Sequence, residues 1–248
     1  MIIDFSKLST IKIGSKLNVK VVNEYNYNNE IIIGRASNSL VCSGNIGVLD
    51  DEYDFIKLTD RLIVGAKTKN SKLYNFAKKH NIAGFEFLSK LPGSIGGTIK
   101  MNAGMKEYEI SNNLLSINGI DKDKFEFGYR YSNIDIPIFW AEFKITQGFN
   151  KELVKIFSKM RQNQPKLPSL GSAFKNPQKD FAGRLLQEAG LKGVKFGDVG
   201  FSEIHANFLV NYGDGKCDDV IIAINEAKRI VFEKFGVKLQ EEIKIIKE

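Results

Sequence analysis

The chain has 248 residues, of which 43% are hydrophobic and 26% are charged, and its formal net charge is +7. This composition is typical of a globular protein that is long enough for one large domain or two smaller ones. No apolar run approaches the roughly 18 residues that would span a bilayer, and residues 1–10 lack the apolar core of a signal peptide. We therefore expect a cytoplasmic protein without a membrane partner.

The first part of the chain is predicted to be rich in short strands. These segments carry β-branched residues and are bounded by Asn, Asp and Gly, and they cover residues 17–22, 30–34, 55–59 and 61–65. A helix is predicted next, with Ser71 as its N-cap and with Leu73, Phe76 and Ala77 on one face. Strands return at 114–120, 124–130 and 138–148.

At Asn150 the pattern changes to helices. Asn150 is predicted to cap a helix whose apolar stripe consists of Leu153, Ile156, Phe157 and Met160. A second helix is predicted over 181–190, from Asp180 to a stop at Gly190. Strands in one block and mixed elements in the next indicate an α+β architecture with a boundary near Asn150.

The last quarter of the chain is predicted to hold a strand, a long helix and a final strand. The strand covers 206–211 and the final one 241–246. The helix covers 218–236 and ends at Gly236, and its buried face consists of Val220, Ile224, Ala227 and Val231.

The cysteines and histidines are too few for metal chemistry. Cys42 and Cys217 lie too far apart for a metal-binding CxxC pair, and two cysteines form no disulfide framework. We expect each cysteine to be a separate thiol and no bound metal. His205 is more typical of a structural histidine than of a catalytic one.

Two Gly-rich segments, residues 34–40 and 91–104, are candidates for binding phosphate. Small residues let backbone N–H groups approach a ligand and form a cradle for phosphate, although neither segment matches a known phosphate-loop pattern. Each alone could be a tight turn, but two on one strand-rich domain favour a dinucleotide site.

Two further segments carry polar side chains at turns. Arg130 follows a strand and is either a surface residue or a charge that binds a carboxylate. Residues 171–177 bring together a hydroxyl, an ammonium group and an amide, in Ser172, Lys175 and Asn176. This segment is either a turn before a helix or a site, and the absence of a Gly-x-Ser-x-Gly elbow argues against a hydrolase.

The motifs in order resemble those of the UDP-N-acetylenolpyruvoylglucosamine reductase family, from about residue 10 onward. They are IG (33–34), SN (37–38), LV (40–41), GFEFL (84–88), PGSIGG (92–97), NAG (102–104), GYR (128–130), GSAFKNP (171–177), AGRL (182–185), AGLKG (189–193), SE (202–203), HANF (205–208), Asn211, FGV (235–237), Leu239 and EI (242–243). Each motif is modestly specific, and the ordered set is highly specific.

The resemblance implies a fold of the FAD-linked oxidase type. A two-lobed FAD-binding domain would cover 1–149, with lobes of about 1–50 and 51–149, a substrate-binding domain 150–236, and a C-terminal tail 237–248. It implies non-covalent FAD, NADPH as co-substrate, and reduction of UDP-N-acetylglucosamine enolpyruvate to UDP-N-acetylmuramate. This step of peptidoglycan synthesis serves cell-wall biogenesis, cell shape and cell division. A monomer is expected.

The resemblance also implies roles for particular residues. The catalytic residues would be Ser172 as proton donor, with Arg130 and Glu242 stabilising the charge that develops on the substrate. Residues expected to bind FAD are Gly34, Arg35, Ala36, Ser37, Asn38, Ser39, Gly93, Ser94, Gly96, Gly97, Asn102, Ala103 and Gly104. Residues expected to bind substrate are Tyr129, Lys166, Lys175 and Asn176.

This sequence departs from the family pattern at three places. Arg35 and Ala36 stand where the family usually has two glycines, and Arg35 would be strained at positive φ. The segment 132–139 is short, so the chain resembles the short form that lacks a substrate-covering tyrosine loop. Glu241 and Glu242 are adjacent, and Glu242 is chosen because it directly precedes a β-branched residue.

Two other functions are compatible with parts of the sequence. The first is a flavoprotein oxidase of the same fold, acting on an alcohol or a sugar. The second is a module that binds anions or nucleic acid, which the positive charge would favour. The lysines are dispersed and the phenylalanines lie in apolar periodic segments, so no nucleic-acid partner is expected.

Overall fold

Two sets of chain segments form two compact units in the computed structural model, which describes residues 1–247. The first unit comprises Met1–Val19, Ala36–Asn45 and the chain from Asn163 onward. The second unit comprises Lys20–Arg35 and Ile46–Gln162. These bounds differ from those of the predicted domains, because segments near the N-terminus pack with the C-terminal third of the chain. Where FAD and substrate bind remains a prediction.

Most strands are short. In chain order they are β1 (Ile2–Asp4), β2 (Lys16–Asn18), β3 (Lys20–Val22), β4 (Ile31–Ile32), β5 (Ser39–Val41), β6 (Ile46–Leu49), β7 (Ile56–Leu58), β8 (Leu62–Gly65), β9 (Gly104–Met105), β10 (Tyr108–Glu109), β11 (Leu114–Ile117), β12 (Ile120–Asp121), β13 (Phe127–Gly128), β14 (Tyr131–Ser132), β15 (Trp140–Phe143), β16 (Ser169–Ser172), β17 (Lys195–Phe196), β18 (Val199–Phe201), β19 (Phe208–Asn211) and β20 (Lys244–Ile246).

The α-helices differ widely in length. They are α1 (Phe5–Leu8), α2 (Asn70–Lys79), α3 (Ile95–Lys100), α4 (Lys151–Met160), α5 (Ala182–Glu188) and α6 (Cys217–Phe235). Within residues 1–247, no helix is both long and apolar enough to cross a membrane. Each of the two units contains both α-helices and β-strands. The predicted α+β class is confirmed.

The second unit is built on an antiparallel sheet with the strand order β12-β11-β15-β8-β7. A parallel sheet of order β3-β6-β4 and the hairpins β9–β10 and β13–β14 belong to the same unit. Its core includes the fully buried Leu62, Leu73, Phe85, Phe87 and Phe143. This unit thus carries the second Gly-rich segment and the turn of Arg130.

The first unit is built on an antiparallel sheet with the strand order β16-β19-β18-β17. Helix α6 packs against its core through the predicted stripe, and Val220, Ile224, Ala227 and Val231 are at most 1% exposed. Gly236 ends the helix at φ 68° and donates its N–H to the carbonyl of Phe232, as the sequence predicts.

The first unit also contains a parallel pair of strands, β5 and β20, with Leu40 opposite Ile245. The strands come from residues about 200 positions apart in the sequence, and their pairing joins the first Gly-rich segment to the C-terminal tail. Sequence periodicity carries no information on such a pairing.

Several local predictions are confirmed and others are wrong. Asn150 caps α4, because its Oδ1 accepts from the N–H groups of Glu152 and Leu153 at 2.9 and 3.3 Å. Of the predicted stripe on α4, Phe157 is buried, whereas Ile156 is 48% exposed. Ser71 is not an N-cap, since α2 already begins at Asn70.

The predicted strand 17–22 is interrupted at Val19. The N–H of Val19 donates to the carbonyl of Met1 at 2.7 Å, so the chain leaves one strand pairing and enters another. β2 pairs with β1, and β3 pairs with β6. The composition of the segment favours a strand throughout, and only the change of partner divides it.

The prediction that the cysteines are separate thiols is wrong. Cys42 and Cys217 form a disulfide, with their Cα atoms 6.1 Å apart. Cys42 follows β5 and Cys217 begins α6, and both belong to the first unit. The two cysteines are 175 positions apart in the sequence, and nothing in the sequence indicated that they approach each other.

Candidate functional site

The predicted proton donor, Ser172, is the last residue of β16 and is half-buried. Gly171 precedes it at φ +84°, where a Cβ would meet no atom within 4 Å. After the serine, the N–H of Ala173 donates to the carbonyl of Asn207 at 2.7 Å. The side chain of Asn207 also accepts from the N–H of Phe174 at 3.0 Å. The backbone that follows Ser172 is therefore held from the side of β19.

The C-terminal tail holds the same stretch of backbone from its other side. The N–H of Glu242 donates to the carbonyl of Ala173 at 2.8 Å, and the N–H of Lys175 donates to the carbonyl of Gln240 at 2.8 Å. These bonds bring three residues that the sequence singled out, Ser172, Lys175 and Glu242, onto two directly paired segments.

The two adjacent glutamates have different surroundings. Oε1 of Glu241 lies 3.0 Å from Nζ of Lys228 on α6. Burial lowers the pKa of the Lys175 ammonium, the positive charge of Lys244 lowers it further, and the negative charge of Glu242 opposes both effects. Of the two glutamates, Glu242 is therefore the one whose charge acts on Lys175, and its role in the site remains a prediction.

Two other predicted substrate ligands lie in the first unit. Asn176 accepts a hydrogen bond through Oδ1 from the N–H of Ala182, the first residue of α5, at 3.1 Å. Its amide therefore supports the start of a helix. Lys166 is exposed on the segment that precedes β16. Their contact with substrate remains a prediction.

The first Gly-rich segment is divided between the units, with Gly34 and Arg35 in the second and the residues from Ala36 onward in the first. Ala36 is buried and has φ 46°, whereas Arg35 is not among the residues with positive φ. The left-handed residue is thus Ala36, at a cost of about 1 kcal/mol relative to glycine.

Asn38, predicted to bind FAD, links β5 to the tail. Its Nδ2 donates to the carbonyl of Glu242 at 3.1 Å, and its own carbonyl accepts from the N–H of Lys244 at 2.9 Å. Ser37 accepts from the hydroxyl of Thr10 through its carbonyl at 3.3 Å. The loop residues therefore have structural partners within their own unit.

Gly34 and the second Gly-rich segment lie next to each other in the second unit. A Cβ on Gly34 would fall 2.3 Å from Oγ of Ser94, so a larger residue there would force the Ser94 hydroxyl to move. A Cβ on Gly97 would meet only that same hydroxyl within 4 Å, at 3.8 Å. The space beside Gly97 is open to a ligand that approaches the backbone, and this geometry fits the dinucleotide that the two segments suggest.

Part of the predicted phosphate cradle is already occupied by protein. The N–H of Ile95 donates to the carbonyl of Thr68 at 2.9 Å, and the N–H of Gly96 donates to the carbonyl of Ala66 at 2.9 Å. A pyrophosphate would therefore depend on the other N–H groups of the segment, those of Gly93, Ser94 and Gly97.

Asn102 and Gly104, predicted to bind FAD, support the turn of Arg130. Nδ2 of Asn102 donates to the carbonyl of Gly128 at 3.0 Å, and Nη2 of Arg130 donates to the carbonyl of Gly104 at 2.9 Å. A Cβ on Gly104 would lie 2.1 Å from the carbonyl oxygen of Tyr108. The close pairing of β9 and β10 is thus a sufficient reason for this glycine.

Arg130 has a strained backbone and a second guanidinium nearby. Its φ of 53° is unusual for a non-glycine residue, and such strain is often found at functional sites. Its guanidinium lies 5.1 Å from the ring centre of Tyr129, a predicted substrate ligand. Burial lowers the pKa of Arg161, and the charge of Arg130 lowers it further.

Arg161 is a residue that the sequence analysis missed. Its Nε is buried and has no hydrogen-bond partner among the described residues, while Nη1 donates to the carbonyl of Lys90. Its position after α4, in the run MRQNQPKLP, gives only a weak signal.

Comparison with known proteins gives one consistent result. Residues 163–246 match the model of the UDP-N-acetylenolpyruvoylglucosamine reductase C-terminal domain. A UDP-N-acetylenolpyruvoylglucosamine reductase of Campylobacter jejuni strain RM1221 is 43% identical, over 99% of this chain and all of that protein. Proteins of the same name from Helicobacter hepaticus and Helicobacter pylori J99 are 43% and 41% identical, each over 99% of this chain and 98% of their own length.

A solved structure supports the same relationship. The crystal structure of UDP-N-acetylenolpyruvylglucosamine reductase from Thermus caldophilus matches with a TM-score of 0.83 and 27% identity. The match covers 100% of this chain and 98% of that one, so the resemblance extends over both compact units.

Proposed function

The chain belongs to the UDP-N-acetylenolpyruvoylglucosamine reductase family, and we propose that it reduces UDP-N-acetylglucosamine enolpyruvate to UDP-N-acetylmuramate with FAD and NADPH. The relatives that support family membership align over nearly their whole length. The reaction is a step of peptidoglycan precursor synthesis, and it serves cell-wall biogenesis, cell shape and cell division.

The observation that carries the proposal is the paired arrangement of the serine segment and the C-terminal tail. The N–H of Glu242 donates to the carbonyl of Ala173 at 2.8 Å, and the N–H of Lys175 donates to the carbonyl of Gln240 at 2.8 Å. A hydroxyl, a carboxylate and a partly desolvated ammonium group therefore belong to two segments that backbone hydrogen bonds join. A site that protonates a carbon next to a carboxylate needs these kinds of group.

Support for FAD comes from the Gly-rich segments of the second unit, where Gly34 lies beside Ser94 and open space adjoins Gly97. We propose that it is held without a covalent bond, in a two-lobed fold of the FAD-linked oxidase type. When bound, the flavin would supply the hydride that reaches C3 of the enolpyruvyl group. NADPH would be the reductant that restores it.

The residues of the chain would control the charge that the hydride leaves behind. Negative charge develops on C2 and the adjacent carboxylate, and Arg130 would hold that carboxylate through charged hydrogen bonds. Glu242 would help by sharing a proton with the developing enolate, because an ionised carboxylate would repel it. Ser172 would then donate the proton to C2.

The proposal assigns FAD to residues 1–149, substrate to 150–236 and a supporting role to the tail 237–248. Lys166, Lys175, Asn176 and Tyr129 would bind the UDP-sugar. We further propose a cytoplasmic monomer that requires neither nucleic acid nor a membrane.

The first test is anaerobic stopped-flow absorbance in the visible flavin band of the purified chain. NADPH should bleach the band, and UDP-N-acetylglucosamine enolpyruvate should then restore it. A flavin that only oxygen reoxidises would indicate an oxidase of the same fold instead. A colourless protein that takes up no FAD would refute the proposed function.

A further inference from the structure

Asn207 is a buried asparagine whose side chain binds the backbone next to Ser172. It is 4% exposed. Its Oδ1 accepts from the N–H of Phe174 at 3.0 Å, and its Nδ2 donates to the carbonyl of the same residue at 2.8 Å. Its own carbonyl accepts from the N–H of Ala173 at 2.7 Å. One residue thus makes three hydrogen bonds to the two residues that follow the serine.

These bonds lie where regular strand pairing fails. β16 and β19 pair at Ser169 with Val210 and at Ser172 with Phe208, and the register shifts between these pairs. Such an irregularity changes the direction in which a side chain points. An amide side chain offers the same donor and acceptor as a peptide group, so Asn207 continues the pairing beyond the shift.

Asn207 is itself held in place by a turn. Its N–H donates to Nδ1 of His205 at 3.2 Å, and the carbonyl of His205 accepts from the N–H of Phe208 at 2.9 Å. Burial lowers the pKa of His205, so the neutral ring keeps Nδ1 as an acceptor near neutral pH. The turn before β19 therefore supports the amide that holds the serine segment.

We propose that Asn207 is a positioning residue that sets the hydroxyl of Ser172 for proton transfer to the substrate, an inference that rests on the proposed function. Asn207 acts through the backbone of Ala173 and Phe174 and does not touch the substrate. The tail binds the opposite side of this segment through the N–H of Glu242. The position of the Ser172 hydroxyl therefore depends on the hydrogen bonds on both sides.

The sharpest test uses the Asn207→Asp variant. An ionised aspartate keeps the acceptor for the N–H of Phe174 but repels its carbonyl, whereas a protonated aspartate again offers a donor and an acceptor. Burial raises the pKa of a carboxyl group, which brings this change within reach of mild acid. The variant should therefore regain activity, relative to wild type, as the pH falls.

The rates of the two half-reactions should separate. Reduction of the flavin by NADPH should stay near the wild-type rate in Asn207→Asp and Asn207→Ala. Its reoxidation by UDP-N-acetylglucosamine enolpyruvate should fall about 100-fold at neutral pH, the effect of a displacement of roughly 1 Å. Only the aspartate variant should recover in acid.

Asn211 provides a matched control at the other end of β19. It is 5% exposed, and its side chain donates to the carbonyl of Ile11 and accepts from the N–H groups of Gly213 and Gly215. Asn211→Asp should lower stability without a selective loss of reoxidation and without recovery in acid.

The outcomes distinguish the inference from the proposed function. A wild-type flavin that the UDP-sugar cannot reoxidise overturns both. Wild-type turnover combined with equal losses in both half-reactions, or with no loss in the Asn207 variants, overturns the inference alone. If Asn207→Ala does not fold, the pH dependence of flavin reoxidation in Asn207→Asp is the test. Recovery of the reoxidation rate in acid supports the inference, and a rate that does not recover in acid overturns it.

Discussion

A serine hydroxyl is a weak acid, so Ser172 can serve as a proton donor only if its surroundings place it accurately. The backbone that follows it is bonded to Asn207 on one side and to Glu242 on the other. At the scale of single residues, the site therefore depends less on unusual chemistry than on where ordinary groups are held.

Replacing Ser172 with alanine tests this dependence. We expect Ser172→Ala to leave flavin reduction by NADPH unchanged and to slow reoxidation by the UDP-sugar by about 10²- to 10⁴-fold, the usual contribution of a general acid. Ser169→Ala is the matched control, since this serine lies on the same strand and accepts from the N–H of Gly171 at 3.4 Å. Equal slowing of both half-reactions would contradict the role of Ser172.

The adjacent glutamates give a second prediction. Glu242→Gln should lower kcat by about 10²-fold, because an amide cannot share a proton with the developing enolate as the carboxyl group of Glu242 would. Glu241→Gln should keep nearly full activity, because this glutamate pairs with Lys228 on α6 and contributes only a solvated ion pair. Steady-state kinetics of the two variants measure the difference, and the opposite ranking would assign the site role to Glu241.

Residue types and their order were enough to propose candidate site residues, but they did not predict the surroundings of those residues. The sequence left Glu241 and Glu242 distinguishable only by analogy, because their partners Lys228 and Lys175 are set by the fold. For Arg161 the sequence held only a weak signal, because the environment of this residue depends on Arg130 from a distant turn.

At the scale of elements, sequence signals contained within one helix correctly predicted features of that helix. The stripe of α6 and its end at Gly236 rest on local periodicity and a local backbone requirement, and both are confirmed. The cap at Asn150 is confirmed for the same reason. Ser71 failed as a cap because α2 begins earlier, at Asn70, whose buried side chain accepts from the hydroxyl of Thr98 at 3.0 Å.

The ion pair at the start of α5 gives a pH prediction. Hydrogen bonds from Arg184, and then from the N–H of Phe181, lower the pKa of Asp180 from 3.8 to about 2. Its stabilising contribution should be complete above pH 3.8 and should disappear as the pH falls toward about 2. A carboxyl NMR titration should show this low pKa in wild type and a rise in Arg184→Gln. Identical titrations in the two proteins would contradict it.

At the scale of the whole molecule, the arrangement depends on contacts that span most of the sequence. Segments 1–19 and 36–45 belong to the same unit as the C-terminal third, so a boundary read along the chain cannot follow the compact units. The pairing of β5 with β20 and the bond between Cys42 and Cys217 are both of this kind. Composition and periodicity are local quantities and do not predict them.

The disulfide gives a prediction about stability. Reduction should lower the free energy of unfolding by about 2 to 4 kcal/mol, because the open chain gains conformational entropy when unfolded. Urea unfolding with and without reductant measures this, and Cys42→Ser with Cys217→Ser should be insensitive to reductant. In the cytoplasm that we propose as its location, thiols are kept reduced, so the reduced form would be the relevant one there. If reductant does not change the free energy of unfolding of the wild-type protein, the prediction is contradicted.

The disulfide between Cys42 and Cys217 closes a covalent loop in the oxidised chain and leaves the N-terminal and C-terminal segments outside it. Residues 43–216 are part of this loop, and they include the whole of the segment Ile46–Gln162. A protease that cuts once anywhere in that segment would open the loop without dividing the molecule. On a gel without reductant the nicked protein would keep its full mass, and with reductant it would separate into two fragments.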